Sequence, residues 1–372
     1  MNKRALWALV AVFALVLAAC SPAEEVVDTT EAPVTTEAPA ATTTEAPAET
    51  TTSEAMAAIG SEEHPINVLF VPSVSAEEII AGGDILEATL EAATGLHFDV
   101  AVPTSYAATL EEMCASPDDT IGFIPAQAYV LGSTKCDIEV SLKSLRFGYT
   151  EYWSEFIVPR DSDIQSVEDL AGKTWAYPDG GSTSGFLVPS GIFATLGIEV
   201  GDTLEAGGHT ATVQAIYDGS ADFGTVFFSP PIDADRNVVW DDTPENADVP
   251  ADLVDSCGLN ADGALFCGDN YEVRDARRNI REGAPDVIQK VRIVTLSAPI
   301  PNDTLSYGPE VSDEIKTAIN DALKAFAADD PEGFEAAFDA YSWSGVEDTN
   351  DSEFDSIRAL LDALGFTEDQ LD

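Results

Sequence analysis

The sequence predicts an α/β protein of two lobes hinged about a cleft. Three observations carry this. Short apolar runs alternate with stretches of helical spacing from Ile66 onward. The alternation occurs twice, with a crossing near residues 150–158 between the two series. Directly after one apolar run the chain reads GGSTSGFLVPSG, from Gly180 to Gly191, with three consecutive hydroxyl side chains between glycines. Strands alternating with helices build a mostly parallel sheet covered by helices. Two such lobes joined by crossing strands enclose a cleft, where ligands commonly bind.

The chain opens with a segment that is not part of this fold. Lys3 and Arg4 precede an apolar run, Ala5 to Ala19, too short to span a bilayer as a mature helix. The run closes on Leu17-Ala18-Ala19-Cys20, which resembles a bacterial lipoprotein signal; the resemblance implies that residues 1–20 are a signal peptide whose Cys20 becomes the lipid-bearing mature N-terminus. Ordinary secretion with cleavage near the small residues is the alternative. Residues 21–62 are rich in Thr, Glu, Ala and Pro, and Thr-Thr-Glu-Ala-Pro occurs at 29–33, 35–39 and 43–47. So little apolar surface cannot offset ordering entropy, so this stretch reads as a disordered tether. At polyproline rise, about 40 residues reach on the order of 120 Å when taut.

In the first lobe, assigned to 63–154, Ile66 to Val71 is a strand ended by Pro72. Glu77 to Ala93 has helical spacing through Ile79, Ile80, Leu86 and Leu90, with Gly95 as its stop. Phe98 to Val102 and Thr120 to Ile124 are the next strands, with a helix from Tyr106 to Cys114 between them. In the second lobe, assigned to 155–298, Glu155 to Val158 is a strand and Ser166 caps a short helix stopped at Gly172. Thr174 to Tyr177 is a strand leading into the hydroxyl stretch. Thr210 to Tyr217 is a helix, Asp222 to Phe228 a buried strand, and Val291 to Leu296 the last strand. Residues 299–372 return to the first lobe, with Ser312 capping a helix lined by Ile315, Ile319, Leu323 and Phe326.

Composition removes several function classes. The chain has 17 basic and 67 acidic side chains, a net charge of −50, which argues against nucleic acid as a partner. The acids are scattered, as on a solvated surface, and the excess points to a salt-rich habitat where screening quenches self-repulsion. Beyond Cys20 four cysteines remain, Cys114, Cys136, Cys257 and Cys267. An even number in an exported chain favours disulfides. Closeness in sequence suggests 114–136 and 257–267, though three pairings are possible. There is no CxxC and there are three histidines, so neither a metal site nor a cofactor is expected.

The hydroxyl stretch admits three readings. Ser182, Thr183 and Ser184 at the mouth of a helix add O–H donors to the unpaired N–H groups and partial positive charge of the helix start, a cup suited to a tetrahedral oxyanion. They could equally be an ordinary helix cap. The stretch nearly matches the Gly-x-Ser-x-Gly hydrolase elbow, but the nucleophile position is Thr183, so that reading fails.

GSTSGFLVPSG after a strand resembles the anion-binding motif of the phosphonate/phosphite/phosphate-type solute-binding lipoproteins of ABC importers. YTEYWSEFIVPRDSDIQSVEDLAGKTWAY, SYAATLEEM, GGHTATVQAIYDGSADFGTV and APIPNDTLSYG resemble other stretches of that family, in the same order, over about residues 65–330. The resemblance implies a type II periplasmic-binding-protein fold, each lobe a βα sheet sandwich. It also implies an extracytoplasmic binding protein rather than an enzyme, a monomer lipid-anchored to the cell membrane, with an ABC transporter permease as its partner. By the same resemblance Ser182, Thr183 and Ser184 hold the phosphorus oxygens, Tyr106 and Tyr152 are phenol donors from the opposite lobe, and His209 contacts the ligand. Asp303 falls on an acidic position of the return loop. Each residue also has an ordinary alternative in packing, capping or a turn.

One departure bears on the ligand. Members that take aminoalkyl phosphonates have a further carboxylate after the strand that begins near Asp222, and this chain reads Val226-Phe227-Phe228-Ser229-Pro230-Pro231 there. Without that acid an ammonium loses a charge-assisted bond of about 1–3 kcal/mol. Phosphite, methylphosphonate or phosphate are expected ahead of 2-aminoethylphosphonate, with Phe227 and Phe228 as candidate walls. Receptors for other small anions and an exported hydrolase are the rival readings.

Overall fold

In the computed structural model residues 57–367 are described. The signal peptide, Cys20, the tether up to residue 56 and residues 368–372 lie outside the described residues.

The first lobe opens with β1 (Ile66–Phe70), α1 (Ala76–Thr94), β2 (Phe98–Ala101), α2 (Tyr106–Ala115), β3 (Thr120–Ile124), α3 (Ala126–Cys136) and β4 (Glu139–Leu145). The chain crosses into β5 (Glu151–Pro159) and β6 (Trp175–Tyr177). A wide π-turn over Thr183–Leu187 then runs into α4 (Val188–Leu196), followed by β7 (Thr203–Glu205), α5 (His209–Tyr217) and β8 (Phe223–Phe228). A hairpin of β9 (Cys257–Leu259) and β10 (Leu265–Cys267), a short α6 (Val287–Lys290) and β11 (Val291–Leu296) complete the second lobe. The return comprises β12 (Ile300–Pro301), β13 (Thr304–Tyr307), α7 (Asp313–Asp329), α8 (Pro331–Ala337), β14 (Gly345–Asp348) and α9 (Asp355–Leu364).

Each lobe is built on one mixed sheet. The first has strand order β14-β4-β13-β3-β1-β2, with β1 parallel to β2 and β3, and β13 antiparallel to β3 and β4. The second has order β11-β5-β8-β6-β7, with β6 parallel to β7 and β8, and β12 pairing antiparallel with β5 through Ile300 and Tyr152. Strands β3 (TIGFI) and β8 (FGTVFF) are buried along their whole length. They read as unbroken apolar runs because helices or the other lobe cover both faces.

Local chemistry sets the element ends. Ser75 caps α1 by accepting the Glu78 N–H at 3.3 Å, and Gly95 ends it in the left-handed conformation at φ 73°. Ser105 caps α2 at 3.0 Å through Ala108 N–H. The helix expected after Ser166 is a single 3-10 turn, Val167–Leu170, closed by a capping box with Asp169. Gly82 lets α1 approach α8, since a Cβ there would stand 2.2 Å from the Ala337 carbonyl oxygen.

Both disulfides pair cysteines close in sequence. Cys114–Cys136 joins the end of α2 to the end of α3, and Cys257–Cys267 ties β9 to β10. The C-terminal helices divide their contacts. α7 and α8 pack on α1, whereas α9 lies against both α3 and α4. Tyr129 of α3 donates to Asp351 at 2.7 Å just ahead of α9. A Cβ on Gly191 of α4 would meet Leu360 at 2.4 Å.

Candidate functional site

The hydroxyl stretch lies where the lobes meet. Ser182 caps the π-turn, its Oγ accepting the Gly185 N–H at 3.1 Å. Its backbone N–H bonds Asp179 O at 3.0 Å, and the carbonyl takes Phe186 and Leu187 N–H. The N–H groups of Thr183 and Ser184 make no backbone bond among the described residues, so the helix start offers two unpaired donors. Gly181 is required by proximity rather than by a left-handed turn, because a Cβ on it would lie 2.5 Å from Cβ of Tyr106 in the first lobe.

Six of the seven proposed contacts surround one cavity of about 30 Å³. Tyr106, Tyr152, Ser182, Ser184, His209 and Asp303 line it, together with Ser73, Arg146 and Tyr341. Val71, Phe123, Pro125, Phe227 and Trp343 supply the apolar wall. Thr183 is fully buried but does not line the cavity; its hydroxyl accepts the Gln127 N–H of α3 at 2.9 Å and so bonds across the lobes. Phe227 stands edge-on to the His209 ring at 5.0 Å, while Phe228 points the other way against Trp153 and Trp240. By period-2 alternation only the first of the two can be a wall.

The lobes are bonded to each other around the cavity. His209 N–H donates to Ser73 O at 2.8 Å, and Gln127 Nε2 donates to Gly180 O at 3.1 Å. Farther out, Arg274 and Arg278 of the second lobe pair with Asp339 of the return segment at 3.2 and 3.1 Å. Burial acts to raise the Asp339 pKa, but the two guanidiniums outweigh it and hold it at about 2.

Electrostatically the cavity is not the neutral cup read from the sequence. Arg146, at the end of β4, is 2% exposed. Its Nη2 donates to Asp303 at 2.7 Å and its Nη1 to Ser229 at 3.0 Å, and the guanidinium lies 4.4 Å from the Tyr152 ring centroid. Burial, with Arg146 nearby, lowers the His209 pKa to about 3, so the imidazole is neutral at physiological pH. Burial, then Asp303, raises the Tyr152 pKa; burial, then Asp179, raises that of Tyr106; both phenols stay protonated donors.

Three polar side-chain atoms at this cavity are buried without a partner: Arg146 Nε, His209 Nδ1 and Ser73 Oγ. Buried polar atoms are rarely left so. Ser182 Oγ and His209 Nε2 are 3.4 Å apart, but with Nδ1 unpartnered the pair lacks the third group that orients a nucleophilic triad.

The pattern of the family described as ABC transporter, phosphonate, periplasmic substrate-binding protein matches residues 68–354. This chain belongs to that family. The phosphate-import protein PhnD of Mycolicibacterium smegmatis is 27% identical over 81% of this chain and 86% of its own. A binding protein component of an ABC phosphonate transporter from Pseudomonas aeruginosa shares the fold at TM-score 0.60, with 19% identity over 80% of this chain and 85% of its own. So does PhnD1 of Prochlorococcus marinus, solved with methylphosphonate, at TM-score 0.60, with 11% identity over 81% of this chain and 98% of its own. Phosphonate-transporter binding proteins of this kind have the two-lobed type II periplasmic-binding-protein fold. In this member no described helix is long and apolar enough to cross a membrane.

Sequence reasoning missed Arg146, Ser73, Tyr341 and Trp343. Arg146 had a usable signal, as one of 17 bases in a chain with 67 acids, set between apolar residues in Ser-Leu-Arg-Phe. Tyr341 and Trp343 lie in a stretch read only as returning helix.

Proposed function

We propose that this chain is the substrate-binding component of an ABC importer and captures a small phosphorus oxyanion, a phosphonate, phosphite or phosphate, between its lobes. Residues 63–154 and 299–372 form one half of the trap and 155–298 the other. The supporting observation is the cavity itself: unpartnered donors from both lobes converge on a space of about 30 Å³. By the same measure one water needs about 10–15 Å³, so the space suits one compact tetrahedral ion with at most a small substituent.

In this reading the N–H group of Ser184 and the hydroxyls of Ser182 and Ser184 hold oxygens from the second lobe, while Thr183 braces the lobes through Gln127. Tyr106, Tyr152 and Arg146 donate from the first. Neutral His209 adds a ring nitrogen, and Asp303 accepts from a P–OH or orients Arg146. A ligand bridging both lobes favours the closed form and presents the surface that the permease reads. Arg146 bonds Ser229 in the 226–231 stretch, which carries no acid here, and its charge opposes an ammonium. Lipidation at Cys20 and the 21–62 tether would hold the trap near the membrane. The role is binding, not catalysis.

Isothermal titration of the full-length protein against phosphite, phosphate, methylphosphonate, 2-aminoethylphosphonate and sulfate tests this. The first three should bind, and the aminoethyl compound at least tenfold more weakly than methylphosphonate. Sulfate binding with none of the phosphorus anions would transfer the site to another anion class.

A further inference from the structure

Among the described residues lining the cavity Arg146 is the only cation, and it is bonded from both sides of the gap. Its Nη2 reaches Asp303 of the return segment, and its Nη1 reaches Ser229 just after β8 of the second lobe. Its backbone N–H is fixed on Tyr149 O at 2.9 Å, and Nε is left without a partner. The guanidinium is therefore held from both lobes, and of its three nitrogens Nε is the one left without a partner.

Asp303 alone would make the cavity hostile to a second negative charge. A carboxylate facing a phosphorus oxyanion repels the doubly ionised form and bonds well only to a P–OH. A buried guanidinium at 2.7 Å cancels that charge where solvent screening is weak. We propose that Arg146 sets the charge state of the bound ligand, so that the site accepts the doubly ionised oxyanion that Asp303 by itself would exclude. This rests on the reading that the cavity takes a phosphorus oxyanion, and it names which form of that ligand is carried.

The groups facing the pair leave its preference readable. Tyr152 of β5, Tyr106 of α2 and Tyr341 of the return segment all have pKa values raised by burial, with Asp303 contributing, and stay protonated. His209 of α5 is held neutral by burial, with Arg146 contributing. Asp179, one residue layer away beside Tyr106, is itself raised by burial. Between pH 6 and 8 the ligand itself passes through its second ionisation, and Arg146 is the cation it meets in the cavity.

The test is titration calorimetry of the full-length protein with methylphosphonate and with phosphite at pH 6, 7 and 8. Wild type should bind equally well or more tightly as pH rises. In Arg146→Gln the affinity should fall at least tenfold further than in wild type over that range. Arg146→Gln/Asp303→Asn should return to a flat profile, and Arg146→Lys should keep the wild-type direction. A wild-type affinity that declines with the singly charged ligand overturns the proposal, even if no variant folds. So does an Arg146→Gln profile parallel to wild type. Failure of every phosphorus anion to bind removes the site reading and this inference together, whereas binding with the wrong pH profile removes the inference alone.

Discussion

Gly181 and Tyr106 touch across the lobe gap, so closely that a methyl group on Gly181 would stand 2.5 Å from the Tyr106 Cβ. That contact exists only with the lobes together. Gly181→Ala should therefore disfavour closure rather than unfold the protein, since the backbone at 181 is not left-handed. Affinity for methylphosphonate should drop tenfold or more, equivalent to about 1.4 kcal/mol, with an unchanged melting temperature in the absence of ligand. Unchanged affinity would mean the lobes do not close on Gly181.

Asp339 acts on the same equilibrium from outside the cavity. It accepts from Arg274 and Arg278 across the gap, and Arg278 also bonds its carbonyl oxygen. Asp339→Asn takes from buried Arg278 its carboxylate partner and leaves Arg274 with Glu272, which costs about 3 kcal/mol where the group is desolvated, and less here because the carboxylate is half exposed. Small-angle scattering without ligand should show a larger radius of gyration than wild type. Identical scattering curves would relegate the cluster to local packing.

His209 predicts a limb of acid instability. The unfolded imidazole takes up a proton near pH 6.5, whereas the folded one does so only near 3. The unfolded state binds the extra proton in that window, so stability falls as pH drops through it, by about 3 kcal/mol at pH 4. Urea unfolding of His209→Gln at pH 7 and pH 4 should show a shallower loss than wild type. Equal losses in the two proteins would assign the acid limb to other groups.

Glu155 of β5 behaves in the opposite sense. It is fully buried, and neither carboxyl oxygen has a partner. Burial, and then Asp275, raises its pKa well above the usual range. Above pH 4.5 the unfolded chain releases a proton that the folded chain retains, so the residue costs stability as pH rises. Glu155→Met, which conserves volume and removes the unpaired group, should stabilise the protein by about 1–3 kcal/mol at pH 7 in denaturant unfolding. Destabilisation would show that an unseen partner, such as water, satisfies the carboxyl.

The readable parts of the chain were those with a local signature. α1 was legible from the spacing of Ile79, Leu86 and Leu90 and from Gly95 as its stop, whereas its Ser75 cap was not read from the sequence. Ser182 and Ser184 were legible because a helix start leaves its own N–H groups unpaired. Tyr106, His209 and Asp303 came from the order of motifs rather than from any one of them. Arg146 stood out as a base among apolar neighbours, but its role was not legible, because that depends on Asp303, 157 residues on, and on Ser229. Thr183 carries the right hydroxyl in the right triplet, yet its bond to Gln127 of α3 is a property of the closed pair of lobes. The stretch between β8 and β11 has no sustained periodicity; closeness in sequence suggested its disulfide, Cys257–Cys267, but the hairpin that the disulfide ties had to be seen. That α9 lies against both α3 and α4 was not legible, since an amphipathic face does not announce which groove it fills.

The enclosure of the cavity has a kinetic corollary. A ligand walled in by Tyr106, Phe227 and Trp343 cannot depart until the halves separate. Residence time would then be governed by how fast the hinge opens, and chemically different anions of similar size would leave at similar rates. Their affinities would differ in how readily each one triggers capture, and the acidic exterior would slow that encounter most in dilute buffer.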